Sequence, residues 1–100
     1  MKNPFDHLDR ILEHRVRLQI MGVLTANDSF DFVGLKELLQ TSDGNLATHL
    51  KALEREKYIL VQKSFVDRKP NTRYKVTERG KQAFRKHLDA MEEVIRAQRK

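Results

Sequence analysis

Apolar residues recur with helical spacing up to about Glu56, give way to two runs rich in β-branched and aromatic residues from Ile59, and resume helical spacing after Thr77. A chain of 100 residues has room for one domain, so these segments must share one core. The pattern predicts a first helix over about residues 4–13, capped by Asn3, with Pro4 at its first position and Phe5, Leu8, Ile11 and Leu12 on its apolar face. A second helix over about 14–25 turns Val16, Ile20, Val23 and Leu24 inward. Residues 29–32 alternate polar and apolar and predict one short strand, and 33–39 a third helix. The polar turn 40–43 leads into a fourth helix over about 43–56, where Thr41 or Ser42 can accept backbone N–H bonds as its cap. Residues 59–66 and 72–77 read as a hairpin around the turn-forming cluster 67–71. Thr77 caps a last helix over about 78–98, and Gly80 in its first turn lets that helix pack close to the hairpin. The expected fold class is mainly α with a small β-hairpin, an α+β arrangement over one domain, 1–100. Two helices joined by a four-residue turn and followed by a hairpin read as a helix-turn-helix with a wing.

Charged residues make up 34% and hydrophobic ones 39%, the balance of a soluble globular protein and not of a disordered one. The absence of cysteine removes disulfides, thiolate metal sites and cysteine nucleophiles, and suits a reducing compartment. The start, MKNPFDHLDRIL, has no signal-peptide core, and no apolar run approaches the ~20 residues of a membrane span. A cytoplasmic location away from membranes is expected.

The formal charge of +6 is unevenly distributed. Residues 4–40 carry a net −2, residues 41–80 a net +4 and residues 81–100 a net +3. The positive charge therefore begins with the fourth helix, as expected of a surface for a polyanion.

On that helix, Leu46, Leu50 and Leu53 form the buried stripe. At 100° per residue, Lys51, Arg55, Thr48 and Ala52 lie about 140–240° from Leu46, on the outer side. Gly44 and Asn45 extend that side to the helix start, and His49 sits at its margin. A helix that enters a major groove leads with its N-terminal half. Small Gly44, Ala47 and Ala52 would let its backbone approach. Asn45 and Thr48 can bond base edges or phosphates, and Lys51 and Arg55 can reach phosphate or guanine. Ser42 and the free N–H groups of the helix start can also hold phosphate. The hairpin then brings Lys63, Arg68, Lys69, Arg73 and Lys75 together with Asp67 as its only acid. Arg68 at the tip is the best placed for a minor groove.

The segments TSDGNLATHLKALEREKYI and SFVDRKPNTRYKVTERGKQAF resemble the winged-helix transcriptional regulators of the MarR/ArsR-like group, in their short single-domain form. The shared pattern is Gly44-Asn45-Leu46, His49-Leu50, Leu53-Glu54, Tyr58-Ile59, Arg68-Lys69-Pro70, Thr72, Tyr74, and Thr77 with Gly80. The resemblance implies sequence-specific binding of double-stranded DNA, with Asn45, Thr48, His49 and Lys51 in the recognition helix and Arg68 at the wing tip. It departs at Lys57, where the group usually has glycine in a left-handed helix end. Either Lys57 takes that conformation at ~1 kcal/mol, or the helix ends differently.

The last helix carries Phe84, Leu88, Met91 and Ile95 at heptad-like spacing. With Phe5 and Leu8 of the first helix, they predict a homodimer interface, and hence two recognition helices reading half-sites about 34 Å apart. Catalysis is not expected. The histidines lack HExxH spacing, the serines lack nucleophile-elbow glycines, and the four glycines form no phosphate loop. No cofactor or metal is implied: His87 and Asp89 fall about 200° apart on their helix. Related regulators hold small effectors between the dimerisation helices and the DNA-binding lobe, and no polar cluster marks such a pocket here. The rival reading is a winged helix that docks a protein partner and does not read DNA.

Overall fold

The computed structural model describes residues 3–99. A four-residue 3-10 turn, Pro4–His7, precedes α1 (Arg15–Ala26), β1 (Phe30–Asp31), α2 (Phe32–Leu39), α3 (Asp43–Arg55), β2 (Ile59–Val66), β3 (Lys69–Val76) and α4 (Glu78–Gln98). The sheet is antiparallel in the order β1-β3-β2. Phe30 pairs with Tyr74, and the β2–β3 ladder runs from Ile59 opposite Val76 to Val66 opposite Lys69. Ile20, Met21 and Leu24 of α1, Leu35 of α2 and Leu46, Leu50 and Leu53 of α3 are buried together. Tyr58, Ile59, Tyr74 and Val76 close this core from the hairpin side.

The helix expected over 4–13 is replaced by the Pro4–His7 turn and an irregular segment. Asn3 does cap it, accepting from the Phe5 N–H. Asp9 is what stops the helix. Its Oδ1 accepts from the Ile11 N–H at 2.8 Å, and its own N–H donates to Nδ1 of buried His87 at 3.0 Å. A short acidic side chain that binds nearby backbone competes with a helix, and here a bond to α4 tips the balance. Leu12 still enters the core, fully buried, from the loop that follows.

The hairpin turn is tighter than the 67–71 cluster suggests. Asp67 and Arg68 alone form it, with φ of 51° and 67°. Positive φ at both central residues is the two-residue turn whose twist matches paired strands. Lys69, Pro70 and Asn71 are therefore strand, not turn. β1 reaches only Arg73 and Tyr74, so β3 has one neighbour at Pro70 and can accommodate the missing N–H.

Lys57 settles the question at the end of α3 by adopting the left-handed conformation, φ 62°. The Lys57 and Tyr58 N–H groups then donate to the Glu54 and Leu53 carbonyls, which satisfies the last turn of the helix. Thr77 caps α4 by accepting from the Gly80 N–H, and its hydroxyl donates to the Lys57 carbonyl at 2.7 Å. A Cβ at Gly80 would collide with the Tyr58 carbonyl oxygen. The glycine is therefore what lets α4 start against the end of α3. Tyr58 donates its hydroxyl to Asp9 Oδ2 at 2.6 Å, which joins the N-terminal segment to the same junction. Burial, then that bond, pushes the Tyr58 hydroxyl up to about 12. No helix among the described residues is long and apolar enough to cross a membrane.

Candidate nucleic-acid interface

α2 and α3 are joined by a turn that starts with left-handed Gln40 (φ 50°) and ends with Ser42 accepting from the Asn45 N–H at 3.1 Å. Lys36 of α2 reaches Asp43 at the start of α3, 2.8 Å away. This pair offsets the one carboxylate at the tip of the helix. The outer side of α3 presents Ser42, Gly44, Asn45, Thr48, Lys51 and Arg55, all exposed. Asn45 donates to Thr41 Oγ1 at 2.7 Å and Thr48 to the Gly44 carbonyl at 2.8 Å. These bonds hold both side chains in place while leaving acceptors, and one amide hydrogen of Asn45, free for a ligand. A Cβ at Gly44 would meet nothing within 4 Å, so the fold itself does not require glycine there.

His49 departs from the expected contact set. It is 6% exposed, turned toward α1, and its Nδ1 accepts from Arg17 Nε at 3.0 Å. His14, whose Nδ1 accepts from the Val16 N–H at the head of α1, packs its ring 4.0 Å from that of His49. Burial, with His14 and Arg17 nearby, lowers the His49 pKa, which favours the neutral ring that the bond from Arg17 needs. At about 60° from Leu46 on the helical wheel, position 49 belongs to the core side. The partners that bury it, 32 or more positions away, leave no local signal in the sequence.

On the wing, Lys63, Arg68 and Lys69 are exposed. Strand alternation puts Lys63 on the face of Ile59 and Val61, and Lys69 and Lys75 on the opposite face, with Arg68 at the turn between them. Arg73 is half-buried and braces the wing base: its Nε donates to Ser29 Oγ at 2.8 Å and an NH2 to the Ser29 carbonyl at 3.3 Å. It is less available to a ligand than its neighbours in the sequence suggested. Among the described residues, no group of three or more His, Cys, Asp or Glu is placed to hold a metal ion.

Of the residues expected at a subunit interface, Phe5 (52%), Leu88 (43%) and Ile95 (50%) are exposed apolar side chains. Leu8 and Met91 are half-covered, and Phe84 packs on the core of its own chain. An open groove of about 700 Å³ lies beside Phe84 and Leu88, bordered by Thr25, Gln82, Arg85 and Asp89.

A helix-turn-helix followed by a two-stranded wing and a long closing helix defines the winged-helix class. The model of the winged helix DNA-binding domain family matches residues 16–95, and the chain belongs to that family. It is 34% identical over 79 residues to an uncharacterized protein of Methanocaldococcus jannaschii, across 79% of this chain and 86% of that one. The structure of a transcriptional regulator homologue from Pyrococcus horikoshii OT3 matches with a TM-score of 0.83 at 30% identity, over 89% of this chain and 88% of that chain. Bacillus subtilis PadR, solved in complex with operator DNA, shares the fold: TM-score 0.68 and 18% identity over 75% of this chain and 47% of that one. Family and fold are thus those of transcriptional regulators.

Proposed function

We propose that this chain is a homodimeric transcriptional regulator that binds a specific double-stranded DNA sequence. α3 enters the major groove, and the wing lies on the flanking minor groove or backbone. The observation that carries this reading is the outer side of α3. From Ser42 to Arg55 it is exposed and polar, and none of the large exposed apolar residues of the chain lies on it. A side with two cations that make no ion pair among the described residues, a fixed amide, a fixed hydroxyl and a glycine the fold does not need suits a groove lined with acceptors and phosphate. Arg68 at the turn, with Lys63 and Lys69 behind it, extends the positive surface beyond the helix. PadR, the structural neighbour solved with operator DNA, supports duplex DNA as the ligand class.

Pairing through the exposed apolar side of α4, with Phe5 and Leu8, would supply the second recognition helix. The half-sites would then lie about 34 Å apart. Selection of duplexes from a random pool tests the reading. A recovered pseudopalindrome with one protein dimer bound per site is expected. Recovery of no consensus, with weak binding to all duplexes, would favour the protein-docking alternative.

A further inference from the structure

We propose that His49 is a positioning residue for DNA binding: buried beneath α3, it holds the Arg17 guanidinium beside Asn45, where Arg17 contacts a backbone phosphate of the bound duplex. The proposal rests on the DNA-binding reading above and extends the contact surface from α3 to α1.

His49 lies about 40° from Asn45 and 60° from Ala52 around α3, on the flank away from Lys51. The Arg17 guanidinium is fixed on that flank by the 3.0 Å bond from its Nε to His49 Nδ1. That bond uses one of five guanidinium donors and leaves the planar NH2 groups available. Among the described residues Arg17 makes no ion pair, unlike Lys36, Lys81 and Arg96. It is half-buried and restrained, so little side-chain freedom remains to be lost when an anion binds.

His49 suits the task because it is neutral. An imidazolium could not accept from Arg17 and would repel it. The titratable and charged groups that face it are His14 and Arg17, both from the head of α1. The His14 ring, its centroid 4.0 Å away, packs against the imidazole. A phosphate at this flank and the cations at Lys51 and Arg55 would then grip the two sides of the groove that α3 enters.

The test titrates the full chain with a selected duplex across a salt series. Arg17→Ala is expected to weaken binding about five- to tenfold and to lower the slope of log K against log salt by about 1.8, one contact being lost from each protomer of the dimer. His49→Leu, which removes the acceptor, should give a similar loss in the wild-type background and almost none in the Arg17→Ala background. His49→Asn places an acceptor near the position of Nδ1 and should restore affinity and slope. A slope indifferent to Arg17→Ala overturns the proposal. So does a His49→Leu loss that persists without Arg17, or an absence of rescue by His49→Asn. If melting shows His49→Leu to be unfolded, the Arg17→Ala slope and the His49→Asn affinity decide alone. Failure of the wild type to bind any duplex is a different result: it removes the DNA-binding reading on which the proposal rests.

Discussion

α3 and α4 are both amphipathic, both capped by a hydroxyl side chain, and both turn one side to solvent, yet the two exposed sides differ in kind. That of α3 offers Asn45, Thr48, Lys51 and Arg55 with no large apolar residue. That of α4 offers Leu88 at 43% and Ile95 at 50% exposure among its charges. Large apolar side chains left in water gain from a partner that removes them from it. Fixed polar groups and free cations gain from a hydrated polyanion. On the function proposed above, the two helices take different ligands: a second protein surface for α4 and a duplex for α3. Because Gly80 seats the start of α4 against the end of α3, the geometry of one surface sets that of the other.

The sharpest way to break this contrast is Leu88→Asp. It should convert the dimer to monomer in sedimentation velocity and reduce operator affinity by about 100-fold or more, because the second half-site contact is no longer intramolecular. A persistent dimer would move the interface off α4. Lys51→Ala and Arg68→Ala should do the reverse. Each is expected to weaken operator binding by about 1–3 kcal/mol, with sedimentation unchanged and melting shifted by no more than about 0.5 kcal/mol.

Tyr58→Phe probes the joint between the two surfaces. Loss of the bond to Asp9 should cost about 1.5 kcal/mol in denaturant unfolding. The folded hydroxyl titrates at about 12 against an ordinary 10.0. That contribution is therefore fully present below pH 10 and lost as pH rises through 12, and the variant should lack this alkaline loss. The smallest effect expected is from Lys57→Gly. Relief of the left-handed lysine should raise stability by about 1 kcal/mol and leave DNA affinity as it was. A lowered affinity would show that the helix end also sets the wing angle.

How much of this could be read from the chain depended on the range of the interactions. α3 and α4 were legible because Ser42, Thr77 and the leucine stripe act within a few residues of one another. Helical spacing over 4–13 does not become a helix because the bond that undoes it joins Asp9 to His87, 78 positions away. The sequence suggests a wider wing turn because Asp67, Pro70 and Asn71 lie close together. Strand pairing admits only Asp67 and Arg68, neither of them the usual glycine. His49 and Arg73 fit a ligand-facing surface by type and local spacing, yet His49 is buried and Arg73 is half-buried against Ser29. Their partners, Arg17 and Ser29, lie 32 and 44 positions away.

The most direct measurement is the salt dependence of operator binding for the wild type and for a Lys51→Ala, Arg68→Ala double variant. If α3 and the wing form one duplex-binding surface, the wild-type slope of log K against log salt should be steep, and the double variant, lacking two contacts in each protomer, should lose about 3.6 of it while remaining a dimer. An unchanged slope in the double variant, or a wild type whose binding ignores salt, would contradict it.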